Sequence, residues 1–142
     1  MILLYTFMEK KVLYSWKQFD NDVNKIINYL KEIKVQVDGI YAVPKGGLVL
    51  GVALANRLDV PLYRSFINVS DDTLVVDDIS DTGETLSSIL HIETYITITL
   101  FKKQGTKFIP KFSCRECKKD DWVVFPWEGT AKETKRDGTK FK

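Results

Sequence analysis

Two adjacent acids followed by a short polar loop are the residues of this chain best suited to chemistry. Asp77 and Asp78 end an apolar run, and the loop that follows supplies hydroxyls, a glycine and a third acid, Asp81. Backbone N–H groups and hydroxyls after a strand hold phosphate, whereas acids at the strand end bind hydroxyl groups or a hydrated cation. Leu86, Ile89 and Leu90 then follow at helical spacing. This order of strand, anion loop and helix predicts a ligand with both features, such as a sugar phosphate.

Other phosphate-binding motifs fit this segment less well. The sequence contains neither Gly-x-x-x-x-Gly-Lys-Ser/Thr nor Gly-x-Gly-x-x-Gly. A phosphatase that forms an aspartyl phosphate would need Asp-x-Asp-x-Thr, whereas the acids here are at 77, 78 and 81. The remaining alternative is a solvated acidic turn in which Asp81 or Thr82 caps a helix.

A second segment has the same order of strand, loop and helix. The buried-strand pattern Gly39–Val43 is broken by Pro44, and the apolar run Leu48–Leu58 follows as a helix. Between them, Gly46 and the next glycine let the backbone approach a ligand closely, and Lys45 adds a positive charge. The alternative is an ordinary strand-to-helix turn.

The segment from Val75 to Leu86 resembles the 5-phosphoribosyl-1-pyrophosphate (PRPP) motif of the type I phosphoribosyltransferases, with its order acid, acid, apolar, small, acid, Thr, Gly, any, Thr. The resemblance implies an α/β fold with a mainly parallel central sheet flanked by helices and a small C-terminal hood of short strands. It also implies a pyrophosphate loop at Pro44–Gly47, with a cis peptide bond before Lys45. The PRPP- and phosphate-binding residues so implied are Lys45, Gly46, Gly47, Asp77, Asp78, Asp81, Thr82, Gly83, Glu84 and Thr85.

The C-terminal pattern resembles the small purine phosphoribosyltransferases of the xanthine–guanine type. In that branch a lysine at a strand end donates to the purine 6-oxygen, and a later aromatic or aliphatic pair contacts the base. Carried over, these are Lys103 and the pair Trp122 with Val123, while Asp81 faces N7 of the purine. Lys102, one residue earlier, is the alternative donor, and Trp122 as a core aromatic is the alternative for that residue.

The resemblance implies an enzyme that transfers the phosphoribosyl group from PRPP to a 6-oxopurine in purine salvage, with Asp77, Asp78 and Asp81 as catalytic residues. Mg²⁺ is the implied cofactor, held by Asp77 and Asp78 mostly through ribose hydroxyls, pyrophosphate or water. Two alternatives stay open. One is a non-catalytic sensor of PRPP or a nucleotide with the same fold, and the other is a phosphoribosyltransferase for a different base.

Two features depart from the family pattern. Only Asn68 to Asp72 stand where the family has a long loop that closes over the ribose, which leaves Arg64 as the nearest basic residue for the pyrophosphate. Closure of such a loop normally excludes water from the reaction. The second departure is the apolar segment Met1–Phe7, which could be an edge strand or a substitute cover.

The composition bounds the rest of the prediction. With 142 residues, 44% of them hydrophobic, the chain can bury one core, so we predict one domain over residues 1–128, with the hood at about 103–128 and a polar tail at 129–142. A net charge of +2 argues against a nucleic-acid surface, and no apolar stretch is long enough for a membrane. We expect a cytoplasmic protein that forms a homodimer or a larger homo-oligomer.

Local patterns predict the remaining elements. Ser15 is expected to cap a helix from Trp16 to Ile33. Strands are expected at about 62–67, from 73, at 94–101, at 107–112 and at 122–125. Cys114 and Cys117 are interpreted as two separate thiols, with a metal shared across a dimer and a redox pair as alternatives.

Overall fold

A computed structural model of the chain describes residues 10–129. Helices alternate with strands up to residue 103, as the sequence pattern predicts, and two further strands follow. In chain order the elements are β1 (Lys10–Leu13), α1 (Trp16–Glu32), β2 (Gly39–Ala42), α2 (Leu48–Leu58), β3 (Leu62–Tyr63), a 3₁₀ helix (Phe66–Asn68), β4 (Thr73–Ser80), α3 (Glu84–Ser87), a second 3₁₀ helix (Ile92–Thr94), β5 (Ile96–Lys103), β6 (Phe112–Cys117) and β7 (Asp121–Val124).

The main sheet has five parallel strands in the order β3-β2-β4-β5-β6. Strand β4 is central, and its residues Leu74, Val75 and Val76 are fully buried, as expected for a parallel strand covered on both faces. The carboxyl ends of parallel strands meet at one edge of a sheet, and in α/β folds ligands bind there. The ends of β2, β4 and β5 therefore carry the candidate residues to one place.

The described residues divide into two compact units. Residues 10–20 and 120–129 form the first, in which β1 pairs with β7 in parallel and the Phe125 and Trp127 rings stack at 4.9 Å. Residues 21–119 form the second, which contains the main sheet. Strand β6, inside the segment predicted as the hood, joins that sheet. One domain over 1–128 stays a prediction, and both Met1–Phe7 and the predicted tail beyond Gly129 lie outside the described residues.

Helix α1 confirms its predicted start. The Gln18 backbone N–H donates to Ser15 Oγ at 3.1 Å, and the Ser15 N–H donates to Gln18 Oε1 at 2.8 Å. These reciprocal bonds form a capping box, which satisfies two donors at the helix start.

The helix predicted through Leu86, Ile89 and Leu90 is wrong beyond Ser87, where α3 ends. The Ser88 hydroxyl donates to the Thr85 carbonyl at 2.6 Å. A serine that bonds the backbone in this way competes with helix continuation. Leu86, Ile89 and Leu90 do have helical spacing, but the hydrogen bond of the Ser88 hydroxyl to the backbone favours the end of the helix after one turn.

Two strand predictions are also wrong. The strand expected at about 62–67 is only Leu62–Tyr63, because Phe66 begins a 3₁₀ helix whose cap is Ser65. The strand expected at 107–112 is a loop, since the Lys107 N–H donates to the Thr82 carbonyl and Pro110 has no N–H for a ladder. The strand there begins at Phe112 and is parallel to β5.

A buried ion pair joins α1 to β6 within the second unit. Asp22 is fully buried and accepts hydrogen bonds from Arg115 Nε at 2.7 Å and Nη2 at 3.3 Å, and Lys25 Nζ lies 3.4 Å from the same carboxylate. About two turns further along the helix, the Tyr29 ring stacks on Phe112 at 4.4 Å. The two contacts fix α1 against β6, the edge strand of the main sheet.

Candidate active site

The two adjacent acids lie at the carboxyl end of the central strand and are almost completely buried. Asp77 is 8% exposed and Asp78 is 9% exposed. The Asp78 N–H donates to Asp77 Oδ1 at 2.9 Å, and the Ile79 N–H donates to Asp78 Oδ1 at 2.8 Å. Backbone donors therefore hold both side chains in place without a ligand.

Burial changes the acidity of this pair. It raises the pKa of Asp77 from its usual 3.8 to about 8, with further contributions from the negative charge of Asp78 and from the hydrogen bond between the two side chains. The Asp78 backbone N–H acts in the opposite direction. A nearby cation would favour the ionised form, so the site is suited to a positively charged or cation-carrying ligand.

The loop after β2 lies directly against this pair. Its Pro44–Lys45 peptide bond is cis, as the resemblance implied. A Cβ added to Gly46 would lie 2.5 Å from Asp78 Oδ2, and one added to Gly47 would lie 2.7 Å from the Val76 carbonyl oxygen. Only glycine fits at both positions, so the backbone of this loop borders the acidic pair, and Lys45 remains exposed beside it.

The predicted phosphate loop follows β4 and surrounds a small pocket of about 50 Å³, lined by Asp77 and by residues 79–86. Gly83 has φ 87°, a left-handed conformation that favours glycine. The Glu84 N–H donates to Thr82 Oγ1 at 3.2 Å. Since α3 has only one turn, an anion bound here would be held by the N–H groups and hydroxyls of the loop more than by a helix dipole.

Lys103, at the end of β5, reaches the phosphate loop. Its Nζ lies 3.3 Å from Asp81 Oδ1, and its side chain is 14% exposed, against 58% for Asp81. Lys102 Nζ instead lies 3.6 Å from Glu116 Oε2. The structure thus brings the predicted purine donor and the predicted proton acceptor together at one edge of the sheet.

Trp122 and Val123 lie on β7 in the first unit. Val123 is buried and is the register partner of Val12 on β1, and Lys11 Nζ lies 5.1 Å from the centre of the Trp122 ring. Their role as base contacts stays a prediction.

The short connection between β3 and β4 is anchored at both ends. Phe66 packs edge-to-face against Tyr41 and Tyr95, with ring centroids at 5.2 and 5.6 Å. Ser70 and Thr73 both donate to the Asp38 carboxylate, the latter at 2.7 Å. Arg64 is exposed where this connection begins. This part of the chain is too short and too firmly held to act as the long closing loop of the family.

The two cysteines do not form a pair. They are three residues apart on β6, so their side chains point to opposite faces of the sheet. Cys114 Sγ lies 3.6 Å from the Asp22 carbonyl oxygen, whereas Cys117 Sγ lies 3.8 Å from that of Lys102. Burial and the Asp22 charge raise the pKa of Cys114 to about 12, which suppresses the reactive thiolate. The geometry favours two separate thiols.

Sequence reasoning missed the polar residues whose hydrogen bonds hold the end of β4 and the loop that follows it. Ser80, at the last position of β4, is 1% exposed, and its Oγ donates to the Phe108 carbonyl oxygen at 2.8 Å. Thr106 and Lys107 contact the same loop. The available signal was a hydroxyl at an inward-facing strand position. Asp22 was missed as well, although an acid on the apolar face of a helix already suggests a buried partner.

No helix in the described part of the chain is long and apolar enough to cross a membrane.

No family model matches the chain. A xanthine-guanine phosphoribosyltransferase of Nitratidesulfovibrio vulgaris is 26% identical over 136 residues, which cover 80% of this chain and 82% of the relative. The structure of a purine phosphoribosyltransferase from Pyrococcus horikoshii has a TM-score of 0.70 and 26% identity, covering 93% of this chain and 96% of that one. A Helicobacter pylori xanthine-guanine-hypoxanthine phosphoribosyltransferase superposes with a TM-score of 0.71 at 21% identity, covering 89% and 99%.

Proposed function

The chain has the type I phosphoribosyltransferase fold and resembles the small purine enzymes in sequence, and from this premise we propose that it transfers the 5-phosphoribosyl group of PRPP to a 6-oxopurine. In this reaction the bond between C1 of the ribose and the pyrophosphate oxygen breaks while the C1–N9 bond to the purine forms. Pyrophosphate leaves with the bonding electrons, and the purine gives up one proton. The product is a nucleoside monophosphate.

The buried acids are proposed to bind the ribose and a cation. Asp77 and Asp78 would orient the 2- and 3-hydroxyls, which aligns C1 for the displacement. Their oxygens are ligands of the type that Mg²⁺ prefers, and the raised pKa of Asp77 is consistent with a site completed by positive charge. The described residues contain no group of three or more candidate metal ligands. The ion would therefore take its other ligands from the substrate and water, where it neutralises the leaving pyrophosphate.

The two loops are proposed to bind the two phosphate groups. Lys45 and the N–H groups of Gly46 and Gly47 would bind the pyrophosphate, and the Asp81–Thr85 loop would hold the 5-phosphate. Binding energy at the 5-phosphate, remote from C1, is then used to align the reacting atoms.

Lys103 and Asp81 are proposed to recognise the base. Lys103 would donate to the purine 6-oxygen, and Asp81 would accept the purine proton as general base. The purine would therefore replace part of the 3.3 Å contact between these two side chains. The proposed partners are PRPP and a purine, while a homo-oligomer and a cytoplasmic location stay predictions.

The observation that carries the proposal is the meeting of three predicted sites at the carboxyl ends of β2, β4 and β5. Gly46 borders Asp78, and Asp81 pairs with Lys103. The test is PRPP-dependent release of pyrophosphate with guanine, xanthine and hypoxanthine, with adenine and orotate as comparison bases. Release with a 6-oxopurine that is lost in Asp81→Asn supports the proposal. Equal release with and without a base would contradict it.

A sensor of PRPP or a nucleotide is the second candidate, and the short connection anchored by Phe66 favours it. Without a closing loop, water can reach the ribose, and transfer would be slow. A protein that binds PRPP tightly but transfers it to none of the five bases would fit the sensor. Measurable transfer to one base excludes it.

A further inference from the structure

Besides the ion pair between Lys103 and Asp81, several hydrogen bonds join the segment Lys103–Phe108 to the predicted phosphate loop and the strand end before it. Ser80 Oγ donates to the Phe108 carbonyl oxygen at 2.8 Å and lies 3.0 Å from Thr106 Oγ1. The Lys107 N–H donates to the Thr82 carbonyl oxygen at 3.0 Å. Ser80 is almost completely buried, so these bonds are shielded from water and fix the segment firmly.

Close packing at Gly83 adds to these bonds. A Cβ at Gly83 would lie 2.5 Å from the Phe108 nitrogen and 2.9 Å from Thr106 Oγ1. The phosphate loop and the segment Lys103–Phe108 are therefore in direct contact at the point where Gly83 has its left-handed conformation. Neither can shift by an ångström without moving the other or breaking the bonds at Ser80.

The position of Lys103 depends on the same contacts. The Thr106 N–H donates to the Lys103 carbonyl oxygen at 3.2 Å, which closes the turn that follows β5. The Phe108 N–H donates to Thr106 Oγ1 at 3.4 Å. The hydroxyl of Thr106 thus connects the turn that carries Lys103 with the strand end that carries Ser80 and Asp81.

We propose that Ser80 and Thr106 are positioning residues that hold Lys103 in register with the phosphate loop, so that binding of a 5-phosphate and recognition of a 6-oxopurine reinforce each other. This inference rests on the proposed function, since it assumes that Lys103 contacts the base. The hydroxyls of Ser80 and Thr106 lie 3.0 Å apart, and that of Ser80 donates to the Phe108 carbonyl oxygen. They act through the geometry of Lys103 and Asp81.

The test is a mutant cycle read out by the dissociation constant of GMP, which carries both a 6-oxopurine and a 5-phosphate. Thr106→Val and Ser80→Ala should each weaken GMP about three- to tenfold, the effect of one lost buried hydrogen bond. Thr106→Ser, which keeps the hydroxyl, should bind as the parent does. In a Lys103→Ala background, Thr106→Val should add little, because its effect passes through Lys103.

The matched control is Ser113→Ala. Ser113 Oγ lies 2.9 Å from Thr99 Oγ1, which makes a second hydroxyl pair in the same sheet. Ser113 itself is on the edge strand β6, where Thr99 of β5 separates it from Asp77 of β4. This variant should lower the melting temperature but leave GMP binding unchanged. If Thr106→Val and Ser80→Ala also change only the melting temperature, or if Thr106→Val weakens GMP equally in both backgrounds, the inference is wrong. If the parent binds GMP and shows the expected cycle but transfers to no base, only the proposed activity fails.

Discussion

The buried acid pair predicts an unusual effect of pH on stability, which Asp77→Asn isolates. The pKa of Asp77 is about 8 in the folded chain, because the carboxylate is buried beside Asp78, and about 3.8 when exposed. Between these values the folded state binds more protons than the unfolded state. Rising pH therefore destabilises the folded state, with the loss starting near pH 4 and complete above pH 8.

The size of the effect follows from the same numbers. One pKa unit corresponds to about 1.4 kcal/mol, so a rise of the Asp77 pKa from 3.8 to about 8 should reduce the free energy of unfolding by on the order of 6 kcal/mol above pH 8. Asparagine has nearly the same shape, keeps an oxygen that can accept from the Asp78 N–H, and is neutral at every pH. Asp77→Asn should therefore match the parent near pH 4 and become progressively more stable than the parent toward pH 9.

The assay is urea unfolding followed by tryptophan fluorescence at several pH values from 4 to 9. Asp71→Asn, which removes an exposed carboxylate from a neighbouring loop, is the control and should show no such trend. We expect PRPP with Mg²⁺ to raise the melting temperature of the parent, and Asp77→Asn should lose that rise. A difference in stability between Asp77→Asn and the parent that stays constant with pH would refute the reasoning.

Three other changes have definite expected outcomes. Lys103→Ala should lower kcat/KM for a 6-oxopurine about tenfold or more, the effect of a lost charged hydrogen bond, and leave PRPP binding nearly intact in a thermal-shift assay; equal losses would place Lys103 at the phosphate. Gly46→Ala should weaken PRPP binding at least tenfold in the same assay, because its Cβ would lie 2.5 Å from Asp78 Oδ2, and unchanged binding would contradict the close approach of this loop. Arg115→Met should destabilise the fold by about 3–5 kcal/mol in urea unfolding, because it leaves the fully buried Asp22 charge without its main partner. Asp22→Asn should destabilise it less. If Asp22→Asn is the more destabilising change, this ion pair is not what holds α1.

Much of the site was predictable because its motifs are local. The order of acids, glycine and hydroxyls from Asp77 to Thr85 fixes a strand end and a loop, and glycine next to Lys45 marks a close backbone approach. Parallel pairing of β4 with β2 and β5 then brings these segments together without further information. Lys103 was named only through the resemblance to the xanthine–guanine type, and the pairing of β4 with β5 accounts for its position near Asp81.

The features that could not be predicted depend on contacts between distant residues or on local bonds that override a pattern. Nothing in the spacing of Leu86 and Ile89 shows that the Ser88 hydroxyl will end the helix. The loop that replaces the expected strand at 107–112 forms because its backbone bonds to Thr82, and that partner lies in another element. A propensity argument considers each segment alone, so it cannot weigh these competing bonds.

In the candidate site, the buried pair Asp77 and Asp78 opposes ionisation, whereas the residues around the pair are held by hydrogen bonds and aromatic packing. Burial of Asp77 beside Asp78 opposes ionisation, and that unfavourable interaction is what a ligand carrying a cation can relieve on binding. Such a centre keeps its geometry only if its neighbours are fixed independently of it. Ser80 and Phe66 supply this support through buried hydrogen bonds and aromatic packing on the two sides of β4's carboxyl end. The short anchored connection and the bonds of Ser80 therefore have one physical consequence: in this chain alignment of the substrate must come mainly from a preformed site, since little of the described chain around it is free to close.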